Sequence, residues 1–274
     1  MPDSSPVSAA RLDTELVRRG LARSRAVAVE AIAQGLVTVD GTPAAKPALK
    51  VAPDAVIVIA GSDHYVSRGA HKLLAALDSF GVDPAGRVAL DAGASTGGFT
   101  QVLLERGASR VFAIDVGHGQ LAREMQENPR VANLEGLNLR HLTRESPAFS
   151  TYAIELAATG WPSLVVGDVS FISLTHVLEP LAALAEPDAD LLLLVKPQFE
   201  VGRGGIREGI VRDRALRHDA ASTVLWAAWD LGLGALGIID SPIAGGSGNR
   251  EYLIHLRRGA SDPSTLRETI AALA

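Results

Sequence analysis

The chain contains no cysteine, and this absence excludes several kinds of chemistry. Without thiols there is no disulfide framework, no zinc-thiolate centre and no cysteine nucleophile. Long uncharged apolar runs are missing as well, because the most apolar long stretch, residues 220–239, contains Asp230 and three glycines. A core helix followed by a strand explains that stretch better than a membrane span. Any catalysis must therefore depend on other side chains.

An excess of positive charge is also absent. The 26 Lys and Arg residues are outnumbered by 31 Asp and Glu residues, so the net charge is −5. A nucleic-acid contact would have to come from a local basic patch. The first residues, Met-Pro-Asp-Ser-Ser-Pro, show no basic segment followed by an apolar one, so we predict no signal peptide and a cytoplasmic protein.

One glycine-rich stretch organises the rest of the chain. Asp91-Ala-Gly-Ala-Ser-Thr-Gly-Gly-Phe-Thr100 follows the apolar run 88–90 and precedes a helical pattern at 101–106. A strand, a glycine turn and a helix start of this kind let a ligand approach the backbone and the free N–H groups of the helix. The spacing fits neither a dinucleotide fingerprint nor a phosphate loop. A plain strand-to-helix turn is the alternative interpretation.

Two carboxylates suggest which ligand the turn serves. Asp91 closes the first strand, and Asp115 ends the next apolar run, 110–114. Acidic groups at the carboxyl ends of these strands suit a ligand with an ammonium group and ribose hydroxyls but no phosphate. S-adenosylmethionine fits that description.

Alternation of strands and helices continues to the end of the chain. Apolar runs lie at 88–91, 111–115, 164–167, 191–195, 235–239 and 252–256, and they are separated by helical patterns near 99–106, 119–127, 173–185 and 214–231. An earlier helix is predicted to carry Leu73, Leu74 and Leu77, with Ser67 as its cap. This alternation predicts an α/β fold with a mostly parallel, doubly wound sheet and a site at the carboxyl edge of its strands. Asp168 and Lys196 directly follow two of the runs, and Glu251 precedes the last. A lysine after five apolar residues needs a partner, so a structural ion pair with Asp168 is the alternative to a catalytic role.

The N-terminal segment has a different organisation. Two short helices, with Ser24 as the cap of the second, precede strands near 36–39 and 55–60 that are separated by an Asp40-Gly41 turn. Arginines cluster in and between the two helices, and a solvated helix face is the alternative to nucleic-acid contact. The phrases Arg11-Leu-Asp, Leu21-Ala-Arg-Ser-Arg25 and Gly35-x-Val-x-Val-Asp-Gly41 resemble the S4-like RNA-binding domain. That resemblance implies RNA contact through phosphates.

Several longer motifs, in order, resemble one family over nearly the whole chain. They are Ser67-Arg-Gly-Ala-His-Lys-Leu73, the glycine stretch, Asp115-Val-Gly, Gly119-Gln-Leu121, Asp168-Val-Ser-Phe-Ile-Ser-Leu174, Lys196-Pro-Gln-Phe-Glu200 and Gly248-Asn-x-Glu-Tyr252. This combination is similar to the TlyA proteins, ribosomal RNA 2′-O-methyltransferases, some of which are called hemolysin A. The resemblance implies an S4-like domain before an FtsJ-like, Rossmann-like class I methyltransferase domain. It predicts a disordered tail at 1–7, an RNA-binding domain at 8–60, a linker at 61–66 and a catalytic domain at 67–274.

The resemblance also assigns roles to individual residues. It implies a catalytic tetrad of Lys72, Asp168, Lys196 and Glu251. The predicted S-adenosylmethionine contacts are Asp91, Gly93, Ala94, Ser95, Thr96, Gly97, Gly98, Phe99, Asp115, Val116, Glu135 and Asp168. The predicted RNA contacts are Arg11, Arg18, Arg19, Arg23, Arg25, Arg68, Arg203 and Arg207, the last two in a glycine-rich segment, 201–209, that we interpret as a lid. No metal is expected, the partner is ribosomal RNA in the 30S subunit, the 50S subunit or both, and a monomer is favoured.

The chain departs from the family pattern at two places. Gly117-His118-Gly119 stands where relatives often have a tyrosine between the glycines, and Glu135-Gly-Leu-Asn138 stands where they often read Glu-Arg-Thr-Asn. Lys196 is the candidate general base, but a lysine is normally protonated at neutral pH and cannot then accept a proton. The alternative is that the carboxylates only orient the lysine amine. Three other functions remain open: a base methyltransferase, a non-catalytic RNA-binding assembly factor and a membrane-active hemolysin.

Overall fold

A computed structural model describes residues 9–19, 21–22, 24–59, 64–245 and 248–274, with the side chain of Arg203 left out. The chain divides into two compact units, residues 1–64 and 65–274. The predicted tail at 1–7, Arg23 and residues 61–63 of the predicted linker lie outside the described residues.

The N-terminal unit packs two helices on short strands. Its elements are β1 Ala10–Arg11, α1 Leu12–Arg18, α2 Arg25–Ala33, β2 Val37–Val39, β3 Thr42–Pro43, β4 Lys50–Val51 and β5 Ile57–Ile59. The Ser24 hydroxyl accepts a hydrogen bond from the Val27 N–H, as the predicted cap of α2 requires. Asp40 and Gly41 both have positive φ, which suits the tight turn between β2 and β3. Leu12, Leu16 and Ile32 lie in the buried core of this unit.

The second unit alternates strands with helices. Its elements are α3 Ala70–Phe80, β6 Val88–Ala92, α4 Gly98–Glu105, β7 Arg110–Asp115, α5 Arg123–Gln126, β8 Val131–Glu135, α6 Ala153–Thr159, β9 Leu164–Gly167, α7 Leu178–Leu184, β10 Asp190–Val195, α8 Pro197–Glu200, α9 Arg214–Asp230, β11 Leu233–Asp240, β12 Tyr252–Arg258 and α10 Arg267–Ala272. Five short 3-10 turns lie between them in the described part of the chain. The predicted α/β class is confirmed.

The strands form a seven-stranded sheet in the order β11-β12-β10-β9-β6-β7-β8. Strands β10, β9, β6, β7 and β8 are parallel, so their carboxyl ends meet at one edge. Strand β12 runs antiparallel to β10, and its first residue, Tyr252, pairs with Val195 at the end of β10. The residue that precedes an antiparallel strand therefore reaches the same edge as the residues that follow the parallel ones.

Each face of the sheet is covered by helices. Side chains of α3, α4 and α5 pack on one face, and those of α6, α7, α9 and α10 pack on the other. The central strands are buried on both faces, which explains why they appear in the sequence as continuous apolar runs. No helix among the described residues has the length and apolarity that a membrane crossing requires.

Local details differ from the sequence predictions in three places. Helix α3 begins at Ala70 with Gly69 as its cap residue, so Ser67 does not cap it; the Ser67 hydroxyl instead accepts a hydrogen bond from the Gly69 N–H. The helix expected at 119–127 is limited to α5. The edge strand β8 was not among the predicted apolar runs, because Asn133 and Glu135 interrupt its apolar residues.

Candidate active site

The glycine turn connects β6 to α4 and packs tightly against its neighbours. Gly93 has φ +81°, and a Cβ there would lie 3.1 Å from the Asp168 carbonyl oxygen. A Cβ on Gly98 would lie 2.8 Å from the Ser67 Cβ. These two glycines therefore let the loops that carry Asp168 and Ser67 approach the turn. Of the predicted cofactor contacts here, Ala94, Gly97, Gly98 and Phe99 are buried, Gly93 and Thr96 are half-buried and Ser95 is exposed.

Asp91 is fully buried at the end of the central strand β6. The Thr100 hydroxyl donates a 2.6 Å hydrogen bond to Oδ2, while Oδ1 has no hydrogen-bond partner among the described residues. Burial raises the pKa of Asp91 to about 7, and the nearby Asp168 and Asp115 carboxylates add to the rise. A buried oxygen without a donor is a natural acceptor for a cationic ligand.

Asp115 and Glu135 end the neighbouring strands β7 and β8, and both accept backbone hydrogen bonds. Asp115 accepts from the N–H groups of Ser95 and Gly117, at 2.8 and 2.7 Å. Glu135 accepts from the N–H groups of residues 119, 120 and 121. Burial acts to raise the pKa of Glu135, but these three donors outweigh it and hold the pKa below its usual range. The two carboxylates thus hold the loops around the site. Val116, which follows Asp115 in the chain, is exposed.

The four residues of the predicted tetrad lie together at the carboxyl edge of the sheet. Lys72 Nζ is 2.7 Å from Glu251 Oε2 and 3.5 Å from Asp168 Oδ2. Lys196 Nζ is 2.6 Å from Asp168 Oδ1. Lys72 comes from the first turn of α3, Asp168 and Lys196 follow β9 and β10, and Glu251 precedes β12. Two ammonium groups and two carboxylates therefore alternate in one charge-balanced row.

Burial makes this row sensitive to the loss of any member. Lys72, Lys196 and Glu251 are nearly inaccessible, and Asp168 is the most exposed of the four. Charges buried to this degree depend on each other for stabilisation. Asp168 contacts both lysines, so it is the central link and the most accessible point of the row.

Two residues near the tetrad, Ser170 and Phe171, were not predicted as site residues, although the motif that contains them was recognised. The Ser170 hydroxyl lies 2.5 Å from Lys196 Nζ. Phe171 has φ +64° and a side chain that is 91% exposed, and its ring centre lies 5.4 Å from that of Phe199. A phenylalanine in the left-handed region and open to solvent is unusual, and such strain clusters at functional sites. The signal in the sequence was only an aromatic residue three positions after Asp168.

Glu200 fixes the loop that carries Phe171. Its carboxylate accepts a 2.5 Å hydrogen bond from the Ser173 hydroxyl and a 2.9 Å hydrogen bond from the Leu174 N–H. Burial raises the pKa of Glu200. Helix α8, which starts next to Lys196, is thereby tied to the loop after β9.

The glycine-rich segment after α8 is attached to the Glu251 loop. Asn249 is buried, accepts a hydrogen bond from the Val211 N–H and donates one to the Gly209 carbonyl. Arg207 is exposed within a tight turn closed by Ile210. The side chain of Arg203 lies outside the described residues, and Arg68 is exposed near α3. The structure does not test contact with RNA, so the assignment of these three arginines as RNA contacts stays a prediction.

The arginines of the N-terminal unit are partly used by the fold. Asp13 forms ion pairs with Arg11 and Arg25, and Glu15 forms ion pairs with Arg18 and Arg19. Arg19 also donates to the backbone carbonyls of Ala55 and Pro53. This pattern favours a structural role for Arg19, while Arg18 and Arg25 are more exposed.

Family models match both units of the chain. The FtsJ-like methyltransferase model matches residues 65–258, and the S4 domain model matches residues 10–57. Fold and site thus define a two-part methyltransferase with an S4 domain.

Curated relatives narrow the class to one family. The chain is 51% identical over 251 residues to the 16S/23S rRNA (cytidine-2′-O)-methyltransferase TlyA of Mycobacterium tuberculosis, covering 90% of each protein. It is 36% identical to hemolysin A of Brachyspira hyodysenteriae, covering 89% of this chain and 98% of that one. A solved structure from Streptococcus thermophilus, described as a hemolysin, superposes with a TM-score of 0.75 at 36% identity, covering 96% and 95%. The chain belongs to the TlyA family of ribosomal RNA methyltransferases.

Proposed function

We propose that this protein transfers a methyl group from S-adenosylmethionine to the ribose 2′-oxygen of a cytidine in ribosomal RNA. The row of Lys72, Asp168, Lys196 and Glu251 at the carboxyl edge of the sheet carries the proposal. A ribose hydroxyl becomes a competent nucleophile only when its proton is removed, and a positioned amine is a suitable acceptor. A cytoplasmic location follows for a protein that acts on ribosomal subunits.

Each member of the row has a proposed task. Lys196 first releases its own proton to solvent and then, as a neutral amine, accepts the 2′-hydroxyl proton, while Asp168 and Ser170 hold the amine in place. Lys72, held by Glu251, contributes positive charge beside the reacting ribose. When bound, S-adenosylmethionine supplies an activated methyl group on a sulfonium.

The residues around the glycine turn fit that cofactor. The Asp91 oxygen without a donor suits the ammonium of a methionine moiety, and Asp115 lies at the end of the adjacent strand, where ribose hydroxyls are held in folds of this kind. The exposed Val116 offers an apolar surface for a base. Glu135 supports this surface through the 119–121 loop.

A methylation assay with unmodified ribosomal subunits tests the proposal. Each subunit is incubated with the protein and tritiated S-adenosylmethionine, and the label is mapped as a ribose that resists alkaline cleavage. We expect label at a cytidine ribose. Label on a base would indicate a different methyltransferase, and tight binding without label would favour the assembly-factor interpretation. The hemolysin interpretation would gain support only from leakage of protein-treated liposomes.

The raised pKa of Asp91 predicts that cofactor binding depends on pH. Below a pKa of about 7 the carboxyl is neutral in the free protein, so an incoming ammonium must displace a proton. We expect the affinity for S-adenosylmethionine to fall roughly eightfold between about pH 7.5 and about pH 6. Isothermal titration calorimetry measures this change. Asp91→Asn should bind the cofactor weakly and without this pH dependence, whereas Asp115→Asn should keep the pH dependence. An affinity that does not change with pH in the unaltered protein would contradict the prediction.

The exposed ring of Phe171 predicts a contribution to target binding. We propose that the target base, displaced from its stack, packs on Phe171 close to Lys196. Because stacking on an aromatic ring is worth about 1–3 kcal/mol per base, Phe171→Ala should raise the KM for ribosomal subunits about five- to 150-fold. Phe171→Tyr keeps both the ring and the left-handed backbone, so it should behave like the unaltered protein. A KM for Phe171→Ala equal to that of Phe171→Tyr would exclude stacking.

A further inference from the structure

Two buried carboxylates in α1 organise the arginines of the N-terminal unit. Asp13 is 1% exposed and Glu15 is 2% exposed, although both are charged residues in a small unit. Burial of a charge is unfavourable unless partners compensate for it. The four arginine partners supply that compensation, and they do so in two separate clusters because residues two apart point to different sides of a helix.

The Asp13 cluster joins two arginines that lie 14 positions apart in the chain. Arg11 donates to both carboxylate oxygens, through Nε at 3.0 Å and Nη2 at 2.9 Å, and Arg25 donates through Nε at 2.9 Å. The hydrogen bond from Arg11 is the main reason that the pKa of Asp13 lies far below its usual range. Asp13 is therefore ionised at any physiological pH, and it holds both guanidinium groups by one edge.

The two arginines of this cluster remain accessible. The side chains of Arg11 and Arg25 are 41% and 64% exposed. The Glu15 cluster differs, since Arg19 is largely covered and also donates to backbone carbonyls of residues 52, 53 and 55. The Asp13 cluster thus presents two exposed guanidinium groups that Asp13 orients, whereas the guanidinium of Arg19 is held against residues 52–55.

We infer that Asp13 is a positioning residue for RNA binding, because it holds Arg11 and Arg25 as a preassembled pair that receives phosphodiester oxygens. A guanidinium bonds phosphate through a planar fork, so its orientation matters as much as its charge. Long side chains that are already ordered lose less conformational freedom on binding. The inference depends on the proposed function, since it assumes that the N-terminal unit contacts ribosomal RNA.

The decisive comparison uses two variants that change the net charge equally. Asp13→Asn and Asp54→Asn each remove one negative charge from the N-terminal unit, and Asp54 is exposed. Simple electrostatics predicts tighter RNA binding for both. If Asp13 positions the arginines, Asp13→Asn should bind about tenfold more weakly, with a salt dependence shallower by about one unit of slope, since each lost phosphate contact contributes about that amount.

Binding is measured with the full-length protein and unmethylated ribosomal subunits, without cofactor, by filter retention from about 50 to 300 mM KCl. Asp54→Asn should bind as well as the unaltered protein or better. Asp13→Asn binding as tightly as the unaltered protein would overturn the inference. If the unaltered protein fails to bind subunits at all, the proposed function fails with it, and this outcome is distinct from the previous one.

A second variant covers the case in which Asp13→Asn unfolds the N-terminal unit, which thermal unfolding would reveal. Arg25→Lys keeps the charge and lies at an exposed position, but it lacks the fork. We expect it to bind about as weakly as Arg25→Ala. Binding by Arg25→Lys equal to that of the unaltered protein would show that orientation is irrelevant and would overturn the inference.

Discussion

Lys196→Met is expected to lower the single-turnover rate of methyl transfer by about two to four orders of magnitude, the range that a positioned general base contributes. Methionine has a similar length and replaces the apolar part of the buried lysine side chain, but it cannot accept the 2′-hydroxyl proton. Because Asp168 Oδ1 and the Ser170 hydroxyl lie 2.6 and 2.5 Å from the lysine amine, both lose their partner in the variant. Rapid-quench measurement with saturating cofactor and ribosomal subunits gives the rate.

The variant Lys196→Arg separates a base from a simple positive charge. Arginine keeps the charge beside Asp168 but stays protonated at every accessible pH, so it cannot take a proton. We expect it to be as inactive as Lys196→Met while binding cofactor and subunits within about threefold of the unaltered protein. If Lys196→Arg kept more than a tenth of the rate, the lysine would act through its charge, and the carboxylates would only orient it.

The sequence predicts those parts of the fold that local physics decides. Leu191–Val195 is a continuous apolar run because a central parallel strand is buried on both faces, and it forms β10 as expected. Ser24 caps α2 because its contact with Val27 spans only three residues. Helix α9 and the turn at Asp40 and Gly41 were predictable for the same reason.

The convergence of the site was predictable because of strand direction. Polar residues that follow parallel strands must share an edge, which brings Asp168 and Lys196 together. Glu251 joins them only because β12 is antiparallel and starts beside Val195. The sequence placed Glu251 just before the final strand, so its position at this edge followed once that strand was paired with β10.

Contacts between distant residues could not be read from the sequence. Glu135 binds a loop about 15 positions away, and Arg19 binds a carbonyl more than 30 positions away, so the sequence did not predict these structural contacts. Ser67 resembled a helix cap, but its hydroxyl accepts a hydrogen bond from the Gly69 N–H in the turn before the helix. Edge strand β8 alternates exposed and buried residues over only five positions, and a pattern this short competes poorly with loop signals.

Asp190 lies at the opposite edge of the sheet from the active site, at the start of β10, and it has no role in the proposed chemistry. Its buried carboxylate contacts Arg87 Nη1 at 2.8 Å, His255 Nε2 at 2.7 Å and Arg257 Nη2 at 2.6 Å. Asp190→Asn removes the only acid of this cluster and leaves two guanidinium groups close together. Since breaking a buried ion pair costs about 3–5 kcal/mol, we expect a loss of this size in the free energy of unfolding at neutral pH.

The pH dependence of this loss identifies its cause. Burial acts to raise the pKa of Asp190, but hydrogen bonds from His255 and Arg87 outweigh it, so the pKa is held below its usual range. A carboxylate of this kind stabilises the fold above the pKa of the unfolded chain, near 4, and the contribution is lost as the pH falls towards the folded-state pKa. Urea unfolding should therefore show that the difference in the free energy of unfolding between the unaltered protein and Asp190→Asn narrows by about 1 kcal/mol between about pH 7 and about pH 3.

The exposed pair of Asp78 and Arg106 is the control, because Asp78→Asn should change the free energy of unfolding by less than about 1 kcal/mol. Equal effects of Asp78→Asn and Asp190→Asn would mean that the buried cluster adds no more stability than a surface ion pair.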